Sequence, residues 1–263
     1  MTILKEGGNI FAGTAEFDQK IIPAMMKEIN KVLKQTGAKA FPIGSGATPT
    51  NGKMSGDLDM VVDAGTLIKH FKIEPTDKKA MQKVKVELEN FFKASGFETK
   101  KSGTIVHVKT NVGEGEQVDI MVVADGETAA KFHVHDLPKG SPYKGVHKQI
   151  VIADLAKTTT TAEHPEGFKW SPYKGLVSRA TDELVSNNLD EIAKILLNPN
   201  AKAKDLGSVE SIVAAKPEAQ AIVDKNEEYP DSNWNKTKIQ VAAEEYVESL
   251  ADKQLRRIKE LLA

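Results

Sequence analysis

The stretch Ile43 to Asp63 reads IGSGATPTNGKMSGDLDMVVD, and the interpretation of the chain starts from it. The pair Gly44-Ser45 closes a short apolar run, which predicts the end of a strand and a turn whose backbone N–H groups can hold phosphate oxygens. Further on, Asp57 and Asp59 alternate with apolar residues. Because successive side chains of a strand point to opposite faces, both carboxylates are expected on one face of a sheet.

Two carboxylates on one strand face raise each other's pKa, and partial burial raises both pKa values further. A divalent cation removes this cost, and Mg²⁺ binds carboxylate and phosphate oxygens together while it keeps some waters. A third acid, Asp119, interrupts the apolar strand pattern of residues 118–123. The three aspartates therefore predict a metal-and-phosphate site. The alternative is a calcium loop or a solvated turn, which the apolar run after Asp59 disfavours.

The ordered motif resembles that of the nucleotidyltransferase superfamily of the DNA polymerase β type. The family motif consists of an apolar residue with Gly and Gly or Ser, a spacer, Asp-apolar-Asp or Glu, and a later apolar-Asp-apolar strand. Here these parts are Ile43-Gly44-Ser45, eleven spacer residues, Asp57-Leu58-Asp59 and Val118-Asp119-Ile120. The resemblance covers roughly residues 20–125. The C-terminal half resembles bacteriophage-encoded proteins, without a motif that identifies it.

The resemblance implies an α+β fold, in which a small mixed sheet is flanked by helices and followed by a helical C-terminal domain. It also implies transfer of a nucleoside monophosphate from a nucleoside triphosphate to an acceptor hydroxyl, with release of pyrophosphate and with two Mg²⁺ ions, or Mn²⁺ in their place. The implied catalytic and metal-binding residues are Asp57, Asp59 and Asp119, and the implied substrate-binding residues are Gly44, Ser45, Lys144, His147 and Lys148.

Length and composition limit the number of domains and the classes of protein to which the chain can belong. The chain has 263 residues, of which 40% are apolar, and a net charge of −1, so it can form one good core and an accessory domain without a global attraction to nucleic acid. The predicted division is a catalytic core (1–130), a basic connecting segment that closes the site (131–179) and a helical domain (180–263). Zero cysteines exclude disulfides and thiolate metal sites. The chain has no predicted signal peptide or membrane span, and a soluble, cytoplasmic protein is expected.

Hydrophobic periodicity predicts the elements around the acids. Helices are expected over 18–35, starting near Ile22 because of Pro23, and over 77–95, 145–156, 180–197, 208–215 and 236–262. Strands are expected over 103–109 and 117–124, the second carrying Asp119. His107 lies in the first of these strands. It points either to the face of the acids or to the exposed side of the sheet, and the exposed side is favoured.

The segment 131–179 is locally basic, with eight Lys or Arg residues against four Asp or Glu. Ser-Pro-Tyr-Lys-Gly occurs in it twice, at 141–145 and 171–175. One interpretation is a Pro-set turn that presents a Tyr ring and a Lys ammonium to a nucleic acid, and the other is an ordinary turn. In the first interpretation, Tyr143 and Tyr173 stack on bases, and Lys144, Lys148 and Lys174 contact phosphates.

This basic segment favours an RNA or tRNA 3′ end as the acceptor of the predicted reaction. Transfer to a protein or a small molecule remains an alternative, as does a module of the same fold that binds a nucleotide or nucleic acid without catalysis. The nucleoside triphosphate is the predicted partner in every enzymatic case.

Overall fold

The computed structural model describes residues 10–49, 51–103, 105–228 and 234–238. The chain divides into two compact units. Unit 1 is Met1–Val134 with Pro172–Lys174, and unit 2 is His135–Ser171 with Gly175–Ala263. Most of the predicted helix at 236–262 lies outside the described residues. Within the described ranges, none of the helices has the length and apolar character needed to span a membrane.

In its described residues, unit 1 combines a central sheet with four α-helices. Its strands are β1 (Phe17–Asp18), β2 (Ala40–Pro42), β3 (Met54–Ser55), β4 (Leu58–Asp63), β5 (Glu98–Ser102), β6 (Ile105–Lys109) and β7 (Gln117–Val123), and its helices are α1 (Ile22–Leu33), α2 (Ala64–His70), α3 (Ala80–Ala94) and α4 (Gly126–Phe132). The five-stranded sheet has the order β2-β4-β7-β6-β5, and β1 pairs separately with β3. Only β4 and β7 run parallel, and the other pairs of the five-stranded sheet are antiparallel.

The two faces of this sheet have different surroundings. Leu58, Met60 and Val62 of β4 are buried in the main core, which also contains apolar side chains of α1, α2 and α3. Because side chains alternate along the strands, the intervening residues Asp59 of β4 and Asp119 of β7 lie on the opposite face. Asp59 and Asp119 therefore share one face of the sheet, opposite the main core.

Several predicted elements of unit 1 are confirmed. Helix α1 has Pro23 in its first turn, and the chain leaves the following 3₁₀ turn through Gly37 at a φ of +76°. The strands predicted to carry His107 and Asp119 form β6 and β7. Strand β5 was not predicted because its sequence, Glu98–Ser102, is polar and acquires strand structure by pairing with β6 at the sheet edge.

Unit 2 contains helices and a small sheet. Its described elements are α5 (Gly145–Thr158), β8 (Phe168–Ser171), β9 (Gly175–Ser178), β10 (Leu184–Ser186), α6 (Leu189–Leu196), α7 (Val209–Ala215) and α8 (Gln220–Glu227). The three strands form an antiparallel sheet in the order β10-β9-β8, which the sequence analysis did not predict. The predicted α+β fold class is confirmed.

The predicted helix at 180–197 is wrong in its first half. Residues Leu184–Ser186 pair with β9 instead, and the helix begins only at Leu189. Asn188 sets this start, since its Oδ1 accepts the backbone N–H groups of Asp190 at 2.9 Å and Glu191 at 3.3 Å. A capping side chain at this point leaves the preceding residues free to pair as a strand.

Candidate active site

The turn after β2 lies beside the carboxylate of Asp59. The Ile43 N–H donates to the Asp59 carbonyl oxygen at 3.0 Å, which extends the pairing of β2 with β4. Gly44 follows with a φ of +58°, and a Cβ atom there would lie 3.9 Å from Oδ2 of Asp59. Ser45 is exposed, with its Oγ 3.5 Å from Oγ of Ser55. The two predicted phosphate-binding residues thus lie in a turn next to one of the acids.

The three aspartates predicted as metal ligands lie close together. Asp59 and Asp119 are direct partners across the parallel strands β4 and β7, and Asp57 comes immediately before β4. Burial, and then the negative charges of Asp57 and Asp119, raise the pKa of Asp59 from 3.8 to about 7. The carboxylates of Asp57 and Asp119 are therefore close enough to repel that of Asp59, which is partly desolvated.

These side chains do not form a complete metal cage. In the part of the chain that the structure describes, no group of three or more His, Asp or Glu side chains is arranged to hold a metal ion. Mg²⁺ needs only one or two protein carboxylates, because waters and substrate phosphates supply its other ligands. The raised pKa of Asp59 is a cost that a bound cation removes. The carboxylates of Asp59 and Asp119, with Asp57 beside them, therefore fit Mg²⁺ whose other ligands come from water and the substrate.

His107 lies on the face of the acids, so the favoured placement on the exposed side is wrong. It is the direct partner of Asp119 across β6 and β7, and it is 3% exposed. Its Nδ1 lies 2.8 Å from Oδ1 of Asp119, and its Nε2 lies 2.5 Å from Oγ of Ser102. The period-two pattern left both faces open for His107, and the register with Asp119 decides between them.

Gln117 is a further residue of this site that the sequence analysis missed. Its Nε2 donates to Oδ1 of Asp119 at 2.8 Å, and its Oε1 accepts the N–H of Ile10 at 3.0 Å. The signal in the sequence was its position two residues before Asp119, which places both side chains on one strand face.

Tyr173, predicted to stack on a base, lies among the residues of the acid face in unit 1. Its hydroxyl donates to Sδ of Met121 at 3.5 Å, and its ring centroid lies 5.1 Å from that of His133. Burial, and then the negative charge of Asp59, raise the pKa of Tyr173. Tyr173 is therefore a neighbour of the acids.

A groove of about 610 Å³ also lies in unit 1, next to the turn that contains Gly44 and Ser45. Lys39 places its ammonium 5.0 Å from the ring centroid of Phe41, and Lys131 pairs with Glu127 at 3.0 Å. The groove is lined by Lys39, Phe41, Pro42, Ala47, Glu127, Ala130, Lys131 and Val134.

The remaining predicted substrate-binding residues belong to unit 2. His147 is fully buried, its Nδ1 accepts the Lys144 N–H at 2.7 Å, and its Nε2 lies 2.9 Å from the Trp234 carbonyl oxygen. Burial lowers the pKa of His147, so the ring is neutral and both of its nitrogens are used within unit 2. The ring of His147 caps α5 and holds Trp234, and its substrate contact stays a prediction.

Lys148 is also buried, with 3% of its surface exposed. Burial lowers its pKa to about 8, so the ammonium remains mostly charged at neutral pH.

The ring of Tyr143 is in contact with other residues of unit 2. Its centroid lies 5.6 Å from that of Trp234, and the ammonium of Lys238 lies 5.2 Å from the Tyr143 ring centroid. The predicted stacking of Tyr143 on a base is therefore not supported, because neighbours within unit 2 already contact its ring.

These features define the fold. A helix leads into a strand, a Gly-Ser turn and a two-aspartate strand, and a parallel neighbour presents a third aspartate beside the second. This arrangement of a mixed sheet with the acids on one face is the arrangement that the sequence motif predicted.

The comparisons with known proteins concern this fold only. No protein-family model and no curated protein sequence matches the chain. Among solved structures, a cytoplasmic RNA terminal U-transferase is 18% identical over 44% of this chain, with a TM-score of 0.30, and the match spans only 33% of that enzyme. Leishmania infantum polymerase beta in a ternary P/T complex is 12% identical over 73% of this chain and 72% of its own, with a TM-score of 0.44. Its ternary gap complex gives 11% identity over 73% and 66%, with a TM-score of 0.43. At TM-scores below 0.5, these likenesses carry no argument about the reaction.

Proposed function

We propose that this chain is a nucleotidyltransferase that moves a nucleoside monophosphate from a nucleoside triphosphate to an acceptor hydroxyl. The observation that carries the proposal is the pairing of Asp59 with Asp119 across parallel strands, beside the turn at Gly44. In the reaction, a bond forms between the acceptor oxygen and the α-phosphorus, and pyrophosphate leaves.

The residues of the acid face supply binding and positioning. The turn at Gly44 and Ser45 is proposed to bind phosphate oxygens through backbone N–H groups, since Gly44 brings the main chain close to Asp59 without a Cβ atom between them. Asp57, Asp59 and Asp119 would hold Mg²⁺, which when bound polarises the phosphate and lowers the pKa of the attacking hydroxyl. One of these carboxylates would accept the proton that this hydroxyl loses.

The roles predicted for Lys144 and Lys148 remain proposals. Lys148 is kept as the preferred candidate of the two, because its ammonium stays mostly charged although the side chain is buried. The Lys144 side chain is assigned no role beyond the sequence-based prediction.

A single-stranded RNA end is the proposed acceptor. The groove beside the turn supports it, since it combines the ring of Phe41 with the ammonium groups of Lys39 and Lys131, and proteins bind single strands through aromatic stacking and basic groups. Glu127 offsets part of this positive charge. Lys39→Ala should weaken RNA binding and reduce its salt slope by about 0.7 in log-log terms, the value for one phosphate contact on a single strand. Lys78→Ala, at an exposed position before α3, is the matched control.

The test of transfer uses the purified chain, each α-labelled nucleoside triphosphate in turn, and separate RNA, tRNA, protein and small-molecule acceptors with Mg²⁺ or Mn²⁺. We expect label on one acceptor class with stoichiometric release of pyrophosphate. Asp59→Asn should reduce the rate by at least about a thousandfold, since the reaction loses an electrostatic interaction of several kcal/mol. Glu87→Gln, which removes one carboxylate from an exposed position of α3, should leave the rate unchanged. Near wild-type transfer by Asp59→Asn would contradict the proposed role of the acids.

A second candidate is a nucleotide-binding or nucleic-acid-binding module that does not catalyse transfer. The observation that favours it is the groove lined by Phe41, Lys39 and Lys131, which offers groups that bind a nucleic acid and requires no reaction. For such a module, RNA or nucleotide would bind to the wild type and to Asp59→Asn alike, and no acceptor would be labelled.

A further inference from the structure

The His107 ring is a buried group for which the reaction proposed above has no role. It lies between Ser102 and Asp119, with hydrogen-bonding distances of 2.5 Å on its Nε2 side and 2.8 Å on its Nδ1 side. Asp119 is itself 7% exposed. Both members of the His107–Asp119 pair are therefore removed from bulk water, where a misdirected polar group is costly.

The protonation pattern follows from the partners. An ionised carboxylate only accepts hydrogen bonds, so Nδ1 of His107 carries the proton that it donates to Oδ1 of Asp119. In the neutral ring, Nε2 then accepts the hydrogen of the Ser102 hydroxyl. Both ring nitrogens are satisfied, and the orientation of the ring is set from both ends.

A second donor reaches the same oxygen. The side-chain amide N–H of Gln117 donates to Oδ1 of Asp119. Oε1 of Gln117 accepts the Ile10 N–H, and this second hydrogen bond fixes the orientation of the amide group. Among the described residues, the hydrogen bonds of this carboxylate all end on Oδ1. Oδ2 is therefore the oxygen that the fold leaves for another ligand, on the face that Asp119 shares with Asp59.

We propose that His107, held by Ser102, is a positioning residue that fixes the Asp119 carboxylate by occupying Oδ1 with Gln117, so that Oδ2 serves the cation of the proposed transfer. This role rests on the proposed function, but it concerns cation binding and can be measured without turnover. Groups that orient a metal ligand typically change metal affinity or activity by about 10- to 100-fold when they are removed.

Two isosteric variants separate orientation from packing. His107→Asn places an amide nitrogen near the position of Nδ1 and can still donate to Asp119. His107→Gln places its amide near the position of Nε2, so it can reach Ser102 but not Asp119. His107→Phe fills the space without a donor. His70→Phe on α2, an exposed position in the same unit, is the matched control for the loss of an imidazole.

The readout is Mn²⁺ binding to the full chain without nucleotide, measured by electron paramagnetic resonance, with Mg²⁺ in competition. We expect His107→Phe and His107→Gln to bind Mn²⁺ about 10- to 100-fold more weakly. His107→Asn should stay within a few-fold of the wild type, and His70→Phe should equal it. Ser102→Ala, an exposed change that cannot disturb the core, should weaken binding by a smaller factor. In the transfer assay, the same variants should lower kcat and leave the nucleotide KM unchanged.

Wild-type Mn²⁺ affinity in His107→Phe would overturn the inference, and so would equal losses in the Asn and Gln variants, because equal losses would mean that only the ring volume matters. If His107→Phe does not fold, the Asn, Gln and Ser102→Ala variants still decide the question. Failure of the proposed function looks different, since the wild type would then bind Mn²⁺ in a His107-dependent manner and yet transfer no nucleotide.

Discussion

Replacing Asp59 with Asn in the metal-free protein should change how the stability of unit 1 depends on pH. Burial and the neighbouring carboxylates raise the pKa of Asp59 in the folded state from 3.8 to about 7. The folded chain therefore holds a proton that the unfolded chain releases in this interval. Its stability should fall as the pH rises from about 4 to about 7, and above about 7 the loss should be complete. Asp59→Asn carries no charge at this position and should not show this fall.

The size of the effect follows from the two pKa values. The folded and unfolded pKa values differ by about 3 units. At about 1.4 kcal/mol per pKa unit, this corresponds to about 4 kcal/mol of unfolding free energy. Asp59 is partly exposed, and solvent screening reduces this figure. At pH 8 we therefore expect Asp59→Asn to be more stable than the wild type by about 2 to 4 kcal/mol, and at pH 4 the two proteins should be nearly equal.

The assay must report on unit 1. The two tryptophans of the chain, Trp170 and Trp234, both belong to unit 2. Their fluorescence therefore reports the unfolding of unit 2, whereas Asp59 lies in unit 1. Samples with EDTA are instead equilibrated in urea at each pH and then given a short hydrogen-exchange pulse at one fixed pH. Mass spectrometry of peptides from β4 and β7 then gives the unfolded fraction.

Glu87→Gln is the matched charge control and should follow the wild type at every pH. Adding Mg²⁺ at pH 8 should stabilise the wild type much more than Asp59→Asn, because a cation offsets the repulsion that the substitution removes. Parallel stability profiles for the wild type and Asp59→Asn between pH 4 and 8 would refute the reasoning, since the carboxylates would then not interact as the geometry indicates.

Other substitutions test single features of the two units. Gly44→Ala should lower the unfolding free energy by about 1 to 2 kcal/mol, because Gly44 has a positive φ. It should also raise the nucleotide KM. An unchanged KM would mean that this turn does not bind the phosphates of the nucleotide. Gly175→Ala should destabilise unit 2 by about 1 to 3 kcal/mol, measured by tryptophan fluorescence in urea, because its φ is +109° and a Cβ atom would collide with the Ser186 carbonyl oxygen. Lys148→Met should raise the nucleotide KM about tenfold, equivalent to about 1.4 kcal/mol. A constant KM in steady-state kinetics would exclude Lys148 as a phosphate contact.

The sequence by itself determined the local features of the acid face. The period-two alternation of residues 57–63 and 118–123 placed Asp59 and Asp119 on the side of the sheet away from the apolar core. Gly44 indicated a turn because it lacks a Cβ atom, and Pro23 indicated the start of α1. Such features depend on a few neighbouring residues, whose backbone preferences act in any context.

Only the tertiary structure decided which side chains meet. Asp59 faces Asp119, and His107 faces Asp119, because of strand registers that join residues far apart in the chain. The two Ser-Pro-Tyr-Lys-Gly copies show the same limit, since Tyr143 packs on Trp234 in unit 2 while Tyr173 lies near Asp59 in unit 1. Identical pentapeptides have identical local preferences, so their different surroundings must come from the packing of the rest of the chain. Strand register and burial are set by long-range contacts, and a pattern of period two or 3.6 contains no information about those partners.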